Sequence, residues 1–98
     1  MNERPTKPDR IARIRSHLEI AFQPETLEIT DDSYLHEGHT GARGGMGHFK
    51  IRIVSNSFSG IRPVDRHRLV FDALGEMMRT DIHALSITAL SATETIAN

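Results

Sequence analysis

Cysteine is absent from the 98 residues. That excludes a disulfide framework, a thiolate nucleophile and a metal cluster held entirely by this chain's own thiolates. An excess of one charge sign is absent too. Twelve Lys and Arg stand against thirteen Asp and Glu, for a formal net charge of −1. No global field therefore draws in nucleic acid or anionic lipid, which leaves only a local patch for such a role. No run approaches the roughly 18 apolar residues of a membrane span. Met1-Asn2-Glu3-Arg4 is followed by no apolar stretch of the secretory kind, so the expectation is a cytoplasmic protein without a membrane partner. Catalytic signatures are missing as well. There is no Ser/His/Asp order, paired-carboxylate motif, Walker loop or dinucleotide fingerprint, so a non-enzymatic protein is expected.

What is present fits a small globular chain: 38% hydrophobic and 26% charged residues,. A chain of this length forms one domain and buries only about 60–65% of its unfolded surface. From about Asp9 to Phe22, Ile11, Ile14, Leu18 and Phe22 fall on one helical stripe, and Asp9 after Pro8 is placed to cap the first turn,. Gln23-Pro24 stops that helix, because the residue before proline is pushed out of the α region.

Two alternating segments follow, Thr26 to Leu35 and His48 to Val54. Their apolar sides are led by Leu27 and Ile29 and by Phe49, Ile51 and Ile53, which is the pattern of strands with one polar face. The connection between them, His36 to Gly47, holds five glycines in twelve residues. It is long for a hairpin and of the kind that often carries function. Pro63 opens a second helix reaching about Arg79, with Leu69, Val70, Ala73, Leu74 and Met77 as its buried stripe,. Ile82 to Ala89 is a third strand. The predicted fold is α+β in the order α-β-β-α-β, a single domain over 9–90 with flexible ends at 1–8 and 91–98. Its three-stranded mixed sheet is covered by helices on one face.

That order has a consequence for the histidines. The first two strands form an antiparallel hairpin, and a strand–helix–strand unit places the third parallel to the second if they are neighbours. His48 and His83 then start adjacent strands at the edge where the glycine-rich loop returns, so His36, His39, His48 and His83 can gather at one end of the sheet. His83 shares parity with Leu85 and Ile87 and is expected to lean toward the helix-covered face. The plain reading makes His48 a strand-entry residue hydrogen-bonded to backbone, His83 a satisfied half-buried histidine, and His36 and His39 solvated loop residues. The functional reading is metal ligation, since neutral imidazole binds zinc, iron and copper. Two or three histidines on a loop and a strand end make half a site, because a structural zinc takes four protein ligands.

Phe58-Ser59-Gly60, Arg66-His67-Arg68-Leu69-Val70 and Ile82-His83-Ala84-Leu85 together resemble the BolA family. Ser33, Gly38-His39, His48-Phe49-Lys50 and Val54-Ser55 fall in step with them. The match spans about Ile11 to Leu90, and the combination is specific where no single piece is. The resemblance implies a class II KH-like fold and a non-catalytic adaptor. It also implies a monothiol glutaredoxin as partner, either in an apo complex or through a bridging [2Fe–2S] cluster shared with glutathione, in cluster trafficking or iron regulation. By the same resemblance the metal ligands are His83 and, from the loop, His39, with His36 as a further candidate. A monomer or weak homodimer is expected for the chain alone. Arg66, His67 and Arg68 are candidate contacts for a partner or for DNA, in line with the transcriptional-regulator and stress-response roles attached to the family. The same arginines can instead pin the helix to the loop before it. Gly41-Ala42-Arg43-Gly44 has the spacing of the KH clamp, but it lies between strands rather than between helices.

Overall fold

The computed structural model describes residues 6–32 and 46–97. Helix α1 spans Thr6–Phe22. It starts three residues before the expected Asp9, so Pro8 falls in the first turn, where its missing N–H has no intrahelical acceptor to lose. Ile14, Leu18 and Phe22, four residues apart, are its buried row,. The helix stops at Gln23, which takes a positive φ of 46° before Pro24 while its N–H still reaches the Glu19 carbonyl. Such a left-handed residue is a usual helix end.

Strand β1 covers Thr26–Asp31 and β2 covers Gly47–Val54. They pair antiparallel, with Leu27 opposite Ile53 and Ile29 opposite Ile51. The strand ends at Asp31 and Asp32 is outside it; the remainder of the expected strand, 33–35, lies outside the described residues. A 3-10 turn at Asn56–Phe58 follows β2. It is held by the buried Ser55, whose hydroxyl donates to the Phe22 carbonyl at 2.7 Å and accepts the Ser57 N–H at 3.0 Å.

Helix α2 runs Pro63–Leu74 and helix α3 is the single turn Met77–Thr80. The one long helix expected here is broken at Gly75, whose φ of 53° and ψ of −121° suit glycine alone,. The buried row of α2 is Arg66, Val70 and Leu74. Leu69, expected inside, is 38% exposed. Strand β3 spans Ile82–Leu90 and lies parallel to β2, giving the order β1-β2-β3. This is the α+β arrangement and mixed sheet predicted from connectivity. Residues expected to fray past Ser91 form a short helix, α4, at Ala92–Ala97.

Phe49, Ile51, Ile53, Ile82 and Ala89 of the sheet pack with Ile14, Leu18, Phe22, Phe58, Val70, Leu74 and Met77. Burying each large side chain contributes about 1.5–3 kcal/mol. Glu28, Thr30, Lys50, Ser86 and Thr88 alternate with the inward residues and are exposed. The helices thus cover one face of the sheet.

Candidate functional site

One end of the sheet collects the starts of β2 and β3 and the end of β1. The Asp32 N–H donates to the His48 carbonyl at 2.7 Å, and the Gly47 N–H donates to the Asp81 carbonyl at 2.8 Å. Both anchors of the glycine-rich loop are therefore at this end. The rings of His48 and His83 lie there with centroids 5.1 Å apart and planes at 55°. The expected meeting of these two histidines is what the structure has. His36 and His39 fall outside the described residues.

His83 is not oriented as simple alternation predicts. Gly47 pairs with Ile82 and His48 with Ala84, so one β2 step spans two β3 steps and His83 is the extra residue of a bulge,. The bulge resets the parity. Ile82 is buried on the core side and Leu85 packs against the core, while His83 is exposed. Expected to lean under the helices, His83 instead stands in solvent beside His48, which is buried.

Beside His48, a cavity of about 200 Å³ is lined by Asp32, His48, Phe49, Ala84, Leu85 and Ser86 and does not include His83. That is below the roughly 300 Å³ at which small-molecule sites begin. Among the described residues no three of His, Cys, Asp and Glu gather as a metal site.

The arginine cluster of α2 divides. Arg66 is buried, and its Nε donates to the Ile61 carbonyl at 2.6 Å. One terminal nitrogen donates to the Ala89 carbonyl at 2.9 Å and to Glu94 Oε1 at 2.7 Å, and the other reaches Glu94 Oε2 at 3.1 Å. Four of its five donor hydrogens are taken up within the chain, so Arg66 ties α2 to β3 and α4,. His67 is half-buried and Arg68 exposed, so these two are available at the surface. Arg68 and Arg62 both approach Asp65, at 3.7 and 3.1 Å, which dilutes the positive charge.

Two acidic residues that sequence reasoning passed over hold the frame. Glu94 is pushed down to about 2 by the Arg66 hydrogen bond first, and next by the Ser91 N–H. Asp81 immediately precedes the Ile-His pair of β3. Burial alone would raise its carboxyl, but hydrogen bonds from Thr80 and Arg10 and the charges of Arg13 and Arg10 outweigh that and hold it below the ordinary range. Arg10 is itself buried at 3.2 Å from Asp81, with Arg13 at 3.1 Å. A carboxylate next to a candidate ligand and two arginines on α1 were the available signal, but no spacing rule links residues 71 apart.

The family model described as "BolA-like protein" matches residues 18–94. The chain belongs to the BolA-like family. Among curated proteins, this BolA-like chain is 45% identical over 87 residues to SufE-like protein 1, chloroplastic/mitochondrial, of Arabidopsis thaliana, covering 84% of the chain and 24% of that protein. It is 41% identical over 75 residues to the DNA-binding transcriptional regulator BolA of Escherichia coli K12, covering 76% of the chain and 69% of the relative. Among solved structures, the BolA domain of SufE1 from Arabidopsis thaliana superimposes with a TM-score of 0.76 at 42% identity, covering 87% of this chain and 94% of that one. The chain spans about a quarter of SufE-like protein 1 and 56% of Arabidopsis BOLA1, so the match to these two is to a part of a longer protein. No helix among the described residues is long and apolar enough to cross a membrane.

Proposed function

We propose that this BolA-like protein is a non-catalytic adaptor that pairs with a monothiol glutaredoxin and contributes histidines to a bridging [2Fe–2S] cluster, in iron–sulfur trafficking or iron regulation. The observation that carries the reading is the exposed His83 on a bulge at the loop end of the sheet, beside His48. Such a cluster takes four ligands, and this chain has neither a thiolate nor a gathered set of three ligands among the described residues,. The described residues therefore fit a share in a site that a partner completes. His83 would hold the group together with a loop histidine, His39 or its neighbour His36. The partner's cysteine and glutathione would supply the thiolates.

When bound, imidazole in place of thiolate raises the reduction potential of such a centre. The chain's own task is to present a neutral imidazole nitrogen outward from a fixed strand end. An imidazole ligates only when deprotonated, so the complex is expected to lose its cluster on acidification. A cytoplasmic setting belongs to the same proposal. The test is titration of the protein into cluster-loaded monothiol glutaredoxin, followed by visible circular dichroism, with His83→Ala, His39→Ala and His36→Ala in parallel. A new spectrum that His83→Ala abolishes is expected; an unchanged spectrum with folded wild-type protein defeats the reading.

DNA binding is the second reading, because the E. coli relative is named a DNA-binding transcriptional regulator. Here it would rest on Arg68 and His67 of α2, since Arg66 is committed to the frame. A steep fall of DNA affinity with salt, lost in Arg68→Ala, would support it.

A further inference from the structure

The start of β3 is where three elements are fastened to one residue. The Asp81 carboxylate accepts from Arg10 Nε at 3.2 Å and from Arg13 at 3.1 and 3.4 Å, both on α1, and from the neighbouring Thr80 hydroxyl. The Asp81 N–H donates to the Met77 carbonyl of α3 at 2.9 Å, and its own carbonyl accepts the Gly47 N–H of β2 at 2.8 Å. One step further along, Ile82 is buried in the core and pairs with Gly47; two steps further, His83 is the unmatched residue of the bulge.

A bulge at this point is not a neutral choice. Without it, strict alternation from Leu85 back to His83 turns the imidazole toward the helices and Ile82 outward. Burial of Ile82 favours the bulged register, but an apolar contact does not fix where along its axis the strand begins. The Gly47 N–H to Asp81 carbonyl bond lies at that start, next to the bond from the Asp81 N–H to the Met77 carbonyl. Both the carboxylate and Arg10 are largely shielded from solvent, at 14% and 9% side-chain exposure, where a paired charge is hard to displace and costly to strand.

We propose that Arg10, Arg13 and Asp81 form a positioning clamp that keeps the β3 bulge in place and so holds His83 on the outer surface against His48. This rests on His83 being the exposed ligand of the proposed function. The clamp itself acts in the chain alone, with no cluster bound. It assigns α1, on the far side of the sheet's core from the open face, a part in presenting a residue of that open end.

The test is made on the full-length protein without iron. Three quantities are read: carbethoxylation of His83 by diethyl pyrocarbonate, the cross-ring nuclear Overhauser effect between His48 and His83, and hydrogen exchange of the Gly47 amide. In Asp81→Asn and Arg10→Met, Gly47 exchange is expected to rise about tenfold or more, as for a local opening that no longer breaks a buried charge pair. The His48–His83 effect should weaken and the His83 modification rate should shift at least about twofold. Arg13→Met, whose side chain is 46% exposed, should move all three in the same direction but less, and Arg10→Lys should restore part of each. Glu94→Gln perturbs the other end of β3 and serves as control: it should leave the three readouts at wild-type values. Folded Asp81→Asn and Arg13→Met proteins with wild-type Gly47 exchange and His83 readouts would overturn the clamp. Equal changes in Glu94→Gln would do so too, by reducing it to general loosening. Failure of wild-type protein to alter the glutaredoxin spectrum would instead defeat the proposed function and leave these readouts untouched.

Discussion

Replacing Arg66 with methionine removes four hydrogen bonds and keeps much of the side chain's length and bulk. The Arg66 side chain is 6% exposed. Its loss leaves the Ala89 carbonyl, in a fully buried bond, and the Ile61 carbonyl, in a partly buried one, without their donors. A buried polar atom left unsatisfied costs about 1–3 kcal/mol, and the methionine methyl recovers part of that through apolar burial. Arg66→Met is therefore expected to lose about 2–3 kcal/mol of the roughly 5–15 kcal/mol available to a small domain. In a urea melt followed by far-ultraviolet circular dichroism, that lowers the midpoint by about 1–2 M at an ordinary slope. Arg68→Met, at 74% exposure, should stay within about 0.5 kcal/mol of wild type. Equal, small losses in the two variants would refute the assignment of Arg66 to the frame and return it to the surface.

Ile53→Ala removes a side chain with no exposure from the middle of β2. It should cost about 2–5 kcal/mol, checked in the same urea melt. Gly75→Ala forces a side chain onto a φ of 53° and ψ of −121°. It should cost about 1–3 kcal/mol although the nearest atom, the Asp72 carbonyl oxygen, leaves ordinary room at 3.7 Å,; an unchanged melting midpoint would contradict this. Glu94 is pushed down in the folded state from 4.5 to about 2. Its contribution to stability is thus present in full above pH 4.5 and is lost as pH falls toward 2. Thermal melts between those limits should be flatter in Glu94→Gln than in wild type, and identical profiles would remove Glu94 from the acid response.

The sequence was most informative where periodicity and connectivity agree. Ile14, Leu18 and Phe22 mark α1, Phe49, Ile51 and Ile53 mark β2, and the crossover from β2 to β3 follows from the intervening helix. It was least informative where one residue of register decides the outcome. The parity of His83 cannot be read from alternation, because Ile82 and Leu85 both serve the core and the bulge between them leaves His83 without a partner in the β2 register. The same row that buries Val70 and Leu74 in α2 also carries Arg66. An arginine in an apolar row is a sign of an inward partner, and that partner, Glu94, lay in a segment expected to be flexible. Leu69 lies one residue off the row of Arg66, Val70 and Leu74 and is therefore turned partly to solvent,. Of the two predicted ligands, His83 is exposed at the start of β3; His39 lies outside the described residues.

The central claim is that His83 donates an imidazole nitrogen to iron in the complex with glutaredoxin. Pulsed electron paramagnetic resonance of the reduced mixed complex reads nitrogen directly coupled to the cluster. Wild-type protein is expected to give two histidine nitrogen couplings, of which His83→Ala removes one. A folded complex whose cluster shows no such coupling, or one unchanged by His83→Ala, would contradict the account.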